Sequence, residues 1–465
     1  MVRERSEAVE RRKDLSTDAR GRGGTARSSE EALVMRVERR GSPVRVEARV
    51  NQQWEEHMTE TKSYKISKQL VFKAWEQVRK NRGAPGIDGQ SVEAFEEGLQ
   101  DNLYKIWNRI SSGSYVPPAV LLCDIPKSDG NVRTLGIPTV ADRVAQMVVK
   151  MTLEPQVDPQ FHQDSYGYRP KKSALQAVGV ARQRCWQMNW VIDLDIKAFF
   201  DSIDHKLMMR AVRKHTTEGW VLLYIERWLK APAQRPGEEP RKRTEGTPQG
   251  GVISPLLANI FLHHVYDCWM QRQFPDLPFE RYADDLLVHC YTERQAGFVL
   301  EGIRRRLRQC GLEINSSKTR MVYCKDRLRK GDSKHVSFDF LGYEFRGRRT
   351  RSSRTGQIFA GFNPAISSKA KKAIREKIRS WQLSRRTPMS LEEVAAWINP
   401  SVRGWMNYYG AYCKSALQPL LRMLDFQLAK WAMRKFKRHH RRLVRALRWL
   451  SEVYRREPNL FAHHA

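Results

Sequence analysis

The segment Phe279-Glu280-Arg281-Tyr282-Ala283-Asp284-Asp285-Leu286-Leu287-Val288-His289-Cys290 decides how this chain is read. Apolar and aromatic residues flank two adjacent carboxylates in a run that otherwise suits a β-strand. Asp disfavours strands, and two side by side repel unless a cation sits close. Taken alone, Asp284-Asp285 fits an acidic hairpin turn equally well.

A second acidic string shifts that balance. In Trp190-Val191-Ile192-Asp193-Leu194-Asp195-Ile196-Lys197-Ala198-Phe199-Phe200-Asp201, strand alternation puts Asp193 and Asp195 on one face. Ile192, Leu194 and Ile196 then face a core. Two strands that each carry a carboxylate can meet to form a cage of hard oxygen ligands suited to Mg²⁺. Two such ions ~3.5–4 Å apart would activate an attacking 3′-hydroxyl and stabilise a leaving pyrophosphate. Alternation does not choose between Asp193 and Asp195. Between the strings lies Gly246-Thr247-Pro248-Gln249-Gly250-Gly251, whose glycines permit close backbone approach, with a helix expected from Pro255 onward.

Composition points the same way. Among 465 residues, 83 Lys plus Arg against 51 Asp plus Glu leave a net charge of +32. Such an excess favours a polyanionic partner, nucleic acid ahead of an anionic membrane surface. With 41% hydrophobic residues and 13 Trp, 15 Tyr and 17 Phe, the chain can fill the cores of two or three domains. No apolar run approaches the ~20 residues of a membrane span, and the charged start lacks a secretory signal. Seven scattered cysteines with no C-x-x-C pair argue against a disulfide framework and a structural zinc site. A cytoplasmic, nucleoid-associated protein is expected.

Residues 1–60 mix charges with Gly, Ser and Thr around a single aromatic, Trp54, and read as a disordered extension. Met58 is an alternative start. Strands and helices interleave from Tyr64 to about Phe345, with two strands over residues 119–138 around the turn Lys127-Ser128-Asp129-Gly130. After about Pro364 the pattern turns helical, with apolar faces such as Leu421, Leu424, Leu428 and Trp431. Residues 431–465 place Arg434, Lys435, Lys437, Arg438, Arg441 and Arg442 beside an apolar stripe of Leu443, Leu447, Leu450 and Tyr454. A basic helical segment that binds nucleic acid is expected there, and the interleaved aromatics favour RNA over a membrane.

In their order, these strings resemble the reverse transcriptases encoded by group II introns, the reverse transcriptase/maturase proteins. Tyr282-Ala283-Asp284-Asp285 is similar to the family's polymerase signature, and Asp195-Ile196-Lys197-Ala198-Phe199-Phe200-Asp201 to its first metal motif. Leu135-Gly136-Ile137-Pro138-Thr139, Ser165-Tyr166-Gly167-Tyr168-Arg169-Pro170, the Gly246–Gly251 loop, Gly311-Leu312-Glu313-Ile314-Asn315 with Lys318-Thr319, and Phe338-Asp339-Phe340-Leu341-Gly342 also match. Gly404-Trp405-Met406-Asn407-Tyr408-Tyr409-Gly410 resembles the maturase domain.

The resemblance implies an α+β right-hand polymerase, with fingers and an antiparallel palm sheet over residues 61–345. An all-helical thumb or maturase domain would follow over 364–430. Asp195, Asp284 and Asp285 would be the catalytic carboxylates and, with the Ile196 carbonyl, would hold two Mg²⁺ ions. Asp193 is left as a neighbouring structural acid. Lys127 and Arg133 would grip the triphosphate, Gln249 would contact the nucleotide, and Lys318 would protonate or neutralise the leaving pyrophosphate. Phe200 would lie beneath the incoming sugar and bar a 2′-hydroxyl, selecting dNTPs.

Expected partners are intron RNA, an RNA template, a DNA primer or target, and dNTPs, with no membrane. Nothing resembling the His/Cys-rich endonuclease domain of many relatives follows the basic end. Second-strand cleavage is therefore expected to be absent or supplied otherwise. Two rival readings are a maturase that acts only by binding RNA, and a freestanding reverse transcriptase recruited for DNA repair or defence. The intact carboxylate set argues against the first.

Overall fold

The computed structural model describes residues 62–126, 132–351 and 356–464. The expected disordered extension over 1–60 and the turn bearing Lys127 lie outside the described residues. Helix and strand are mixed, as an α+β chain requires.

The first lobe is mostly helical. Helix α1 (Lys68–Lys80) starts at Ser67, whose hydroxyl accepts from the Leu70 amide, and buries Val71, Phe72, Trp75 and Val78. Helices α2 (Val92–Glu97) and α3 (Leu99–Ser111) follow, and Trp75 stacks on Phe95 at 4.9 Å. Strands β1 (Val120–Pro126) and β2 (Val132–Ile137) pair antiparallel, with Leu121 opposite Ile137 and Pro126 opposite Val132. Helix α4 (Val140–Val157) is buried on nearly every side, which suits its apolar sequence and its place at the lobe's centre. Its Asp142 is fully buried, yet Tyr115, Trp228 and Gln146 all donate to it.

Helices α5 (Ala174–Gln187), α6 (His205–Val212) and α7 (Gly219–Lys230) surround the second lobe's sheet and its approach. That sheet runs β5-β6-β3-β7, all neighbours antiparallel, from β3 (Trp190–Asp195), β5 (Phe279–Tyr282), β6 (Asp285–Cys290) and β7 (Arg320–Tyr323). The two-residue β4 (Ala233–Gln234) instead extends the β1–β2 sheet. Val191, Leu287 and Val322 share one core with Ala177, Val178 and Ala181 of α5. Helix α8 (Ser254–Leu262) passes through a π-helical turn, His263–Asp267, into α9 (Cys268–Gln273). Helix α10 (Glu293–Gln309) packs on β3 and β6 through Ala296, Val299, Ile303 and Leu307.

A third sheet, β10-β9-β8, is built from β8 (Ser337–Phe340), β9 (Tyr343–Arg351) and β10 (Ile358–Ile366). Residue 345 therefore falls inside a strand, and residues 364–366 are strand as well. The helical region begins at α11 (Ser368–Ser380), because Phe345 and Phe362 bury their rings in the sheet's core rather than ending it. Helix α12 (Leu391–Cys413) opens with a Ser390/Glu393 capping box. It is anchored through tyrosines: Tyr408 donates to the Leu341 carbonyl of the β8–β9 turn at 2.8 Å and Tyr412 to the Leu175 carbonyl of α5 at 2.7 Å.

Helix α13 (Gln418–Lys435) runs straight through residue 430, so no element ends there. The basic stretch is not one continuous helix either. Phe436 leaves α13 in an extended conformation, Lys437–His439 makes one 3₁₀ turn, and α14 (Leu443–Arg456) begins afresh. The ring of Phe436 packs against Trp431 and Trp449, and this contact bends the chain.

Candidate active site

The turn between β5 and β6 contains two residues, Ala283 and Asp284, because Tyr282 pairs with Asp285. Ala283 takes a left-handed φ of 56°, a conformation that costs a residue with a Cβ about 1 kcal/mol or more. The surroundings hold it there. Gly167 lies so close behind the turn that a Cβ on it would stand 2.4 Å from the Ala283 nitrogen. Arg281, wholly buried, makes a two-point ion pair with Asp267 at 2.8 and 2.7 Å. It also donates to Asn259 at 2.8 Å, and Asn259 donates in turn to the Gly167 carbonyl at 2.8 Å. Arg281, Asn259 and Gly167 thus brace one turn from three separate segments.

Asp195 stands opposite Asp285 in the β3–β6 ladder. Burial first, then repulsion from Asp284 and Asp195, pushes the Asp285 carboxyl up to about 6. Asp284 is raised as well, chiefly by burial. Lys318 and Arg133 oppose the rise on both residues, and Lys318 Nζ lies 3.4 Å from Asp195 Oδ2. Asp193 is pushed up to about 7 by burial and by Asp285, with Arg320 opposing. The clustered donors are all hard oxygens whose mutual repulsion a divalent cation would relieve, so the set fits Mg²⁺. Ile196 bridges Ile314, with hydrogen bonds on the flanking residues (Lys197 N to Glu313 O, Asn315 N to Asp195 O). That pattern leaves the Ile196 carbonyl directed away from Ile314.

The expected nucleotide-contacting elements converge through backbone bonds. The Thr247 amide donates to the Phe200 carbonyl at 2.8 Å, and the Gly136 amide to the Gln249 carbonyl at 2.7 Å. These bonds tie the glycine loop to the Phe200 turn on one side and to the strand bearing Arg133 on the other. Gly246, at φ 77°, has the Asp201 carbonyl 2.7 Å from where a Cβ would be, so only glycine fits without a shift. Phe199 is buried while Phe200 is part-exposed, their rings 5.2 Å apart edge to face.

The basic C-terminal residues divide. Arg434, Lys437, Arg438, Arg441 and Arg442 are exposed. Lys435 turns inward, donating to the Thr387 and Met389 carbonyls at 3.0 and 2.6 Å while its ammonium lies over Trp431. Sequence reasoning passed over Arg281, Asn259 and Asp267. The available signal was a charged residue, Arg281, at a strand position two residues before the acidic turn.

Residues 125–345 match the reverse transcriptase (RNA-dependent DNA polymerase) family, and residues 371–449 the group II intron maturase-specific domain. Protein YkfC of Escherichia coli is 32% identical over 58% of this chain and 78% of its own length. The group II intron-encoded protein LtrA of Lactococcus lactis is 30% identical over 51% of this chain. The putative COX1/OXI3 intron 1 protein of Saccharomyces cerevisiae is 27% identical over 39% of this chain. The match covers 39% of LtrA and 22% of the yeast protein. These matches define an RNA-directed DNA polymerase, of a class that generally depends on divalent metal. More narrowly, the chain belongs to the group II intron reverse transcriptase/maturase family, which joins that polymerase to a domain that assists splicing.

Proposed function

We propose that the protein extends a DNA primer on an RNA template in a right-hand arrangement, and that it binds group II intron RNA to assist its splicing. The first lobe would be the fingers, the β5-β6-β3-β7 sheet the palm, and α11–α14 the thumb. One observation carries the reading: Asp195 and Asp285 face each other on paired strands, with Asp284 at the adjoining braced turn. Asp195, Asp284 and Asp285, with the Ile196 carbonyl, would hold two Mg²⁺ ions. Bound there, the ions supply the positive charge that activates a primer 3′-hydroxyl and neutralises a leaving pyrophosphate.

The chain's own groups do the rest. Arg133, with Lys127 six residues earlier in the chain, neutralises and orients the triphosphate. Gln249, on a loop fixed to two neighbouring elements, positions the nucleotide. Phe200 fills the space a 2′-hydroxyl would need. Lys318, now beside Asp195, protonates or neutralises the pyrophosphate. Arg434, Lys437, Arg438, Arg441 and Arg442 offer an exposed cationic surface to phosphates, in keeping with a cytoplasmic, nucleoid-associated setting.

Primer extension on an RNA template with dNTPs and Mg²⁺, beside Asp284→Asn, tests the reading. Product from the wild type alone supports it. RNA-binding protein that makes no product would instead fit a maturase acting only through RNA.

A further inference from the structure

Behind the braced turn lies a cluster that the polymerase chemistry does not use. The α8–α9 corner is a π-helical turn, and the Cys268 amide bonds the His263 carbonyl five residues back. A π-turn is rare and usually marks a functional position. Here it draws Cys268 under His263, with Sγ 3.4 Å from Nε2. His264 joins them, and the ligand atoms of His263, His264 and Cys268 all lie within 4.8 Å of one another. A fourth group approaches from just beyond α6: His215 Nε2 is 2.8 Å from His264 Nε2.

The geometry points to a metal site, formed by His263, His264 and Cys268 with His215 as fourth ligand, that takes a borderline-soft divalent ion, Zn²⁺ foremost. Three imidazoles and a thiolate are the donors such an ion prefers, and Mg²⁺ does not. Tetrahedral Zn²⁺, with bonds of about 2.0–2.3 Å, needs ligand atoms about 3.3–3.6 Å apart. The His263–Cys268 edge is already that long, the His215–His264 edge must open by about 0.5 Å, and His215 must close on His263 and Cys268, since only the other three share the 4.8 Å set.

The outer contacts are those of a metal site too. Gln160 Oε1 lies 3.0 Å from His215 Nδ1 and accepts a hydrogen bond from it, which leaves the Nε2 lone pair facing His264. Asp267 Oδ2 lies 3.9 Å from His263 Nδ1. Asp267 is also the partner of Arg281, so the ion would stiffen the corner that braces the catalytic turn. The scattered cysteines exclude a cysteine-pair zinc site. This one instead follows an H-H-x-x-x-C spacing that only a π-turn brings together.

The test is a Co²⁺ titration of the metal-stripped full-length protein under reducing conditions. The expected result is a saturable thiolate-to-cobalt charge-transfer band, displaced stoichiometrically by Zn²⁺ and absent from Cys268→Ser. The Asp195–Asp284–Asp285 site has no sulfur and cannot produce that band. Gln160→Leu, which removes only an outer contact, should keep the band and weaken affinity roughly ten- to a hundredfold. A wild type that binds Co²⁺ without a thiolate band overturns the proposal, and so does a band that survives in Cys268→Ser.

Discussion

Asp195 of β3 sits directly across the antiparallel ladder from Asp285 of β6, with Lys318 Nζ 3.4 Å from the Asp195 carboxylate. Two acids at facing positions on one sheet destabilise the pairing, by up to about 1 kcal/mol in water and by more once buried. Burial together with Asp284 and Asp195 raises the Asp285 carboxyl to about 6. The fold therefore keeps an arrangement that disfavours folding and favours divalent-cation binding. Such conflicts are characteristic of functional sites.

Asp284→Asn removes one anionic oxygen donor while it keeps the side chain's shape. Primer extension should fall by several orders of magnitude, with RNA affinity and splicing assistance largely unchanged. Parallel filter-binding and extension assays check both, and a matching loss of RNA binding would contradict separate sites.

Phe200→Ala should widen the space beneath the sugar. Incorporation of rNTPs relative to dNTPs is expected to rise about tenfold or more, measured by single-nucleotide extension. An unchanged ratio would assign Phe200 to packing with Phe199.

Arg281→Met leaves Asp267 buried without its partner. A cost of about 3–5 kcal/mol is expected in denaturant unfolding. Arg281→Met combined with Asp267→Leu should recover part of that stability without recovering extension, because the brace on Ala283 and Gly167 stays lost. Recovery of both would reduce Arg281 to a packing role.

Asp142, buried beneath Tyr115 and Trp228, is raised from its ordinary 3.8 to about 6, chiefly by burial. Folded protein then retains a proton that the unfolded chain has released. Its contribution to stability is complete below about pH 4 and is lost as pH rises through about 6. The loss is on the order of 3 kcal/mol at ~1.4 kcal/mol per unit. Urea unfolding across that window should show a steeper decline in the wild type than in Asp142→Asn, where Asp285 and Asp193 still titrate. Equal slopes would refute it.

Arg441→Ala with Arg442→Ala should reduce the salt dependence of RNA binding by roughly 0.7 per lost single-strand phosphate contact. Lys435→Met should leave that slope unchanged and lower the melting temperature, since Lys435 is engaged by the Thr387 and Met389 carbonyls. A slope change in Lys435→Met would show that its inward position is not kept in the complex.

Local pattern alone made the β1–β2 hairpin, strand β3, the helix α8 that begins at Ser254-Pro255 and the acidic strings legible. Each is written in a few consecutive residues by alternation, helical spacing or turn chemistry. The order of those strings was enough to place the chain in its family. Long-range contact decided what a short window does not hold. Strand β9 runs past residue 345 because its partners lie before and after it. Lys435 is spent on carbonyls nearly fifty residues away, although in sequence it matches its exposed basic neighbours. Arg281 became a brace only where Asp267, Asn259 and Gly167 met it in the core. His215 came within reach of His264 only once the helices had packed. Residue type and spacing determine which chemistry a chain can carry. Which charged groups lose their water, and so become costly, paired or functional, is set by burial, and burial exists only in the folded chain.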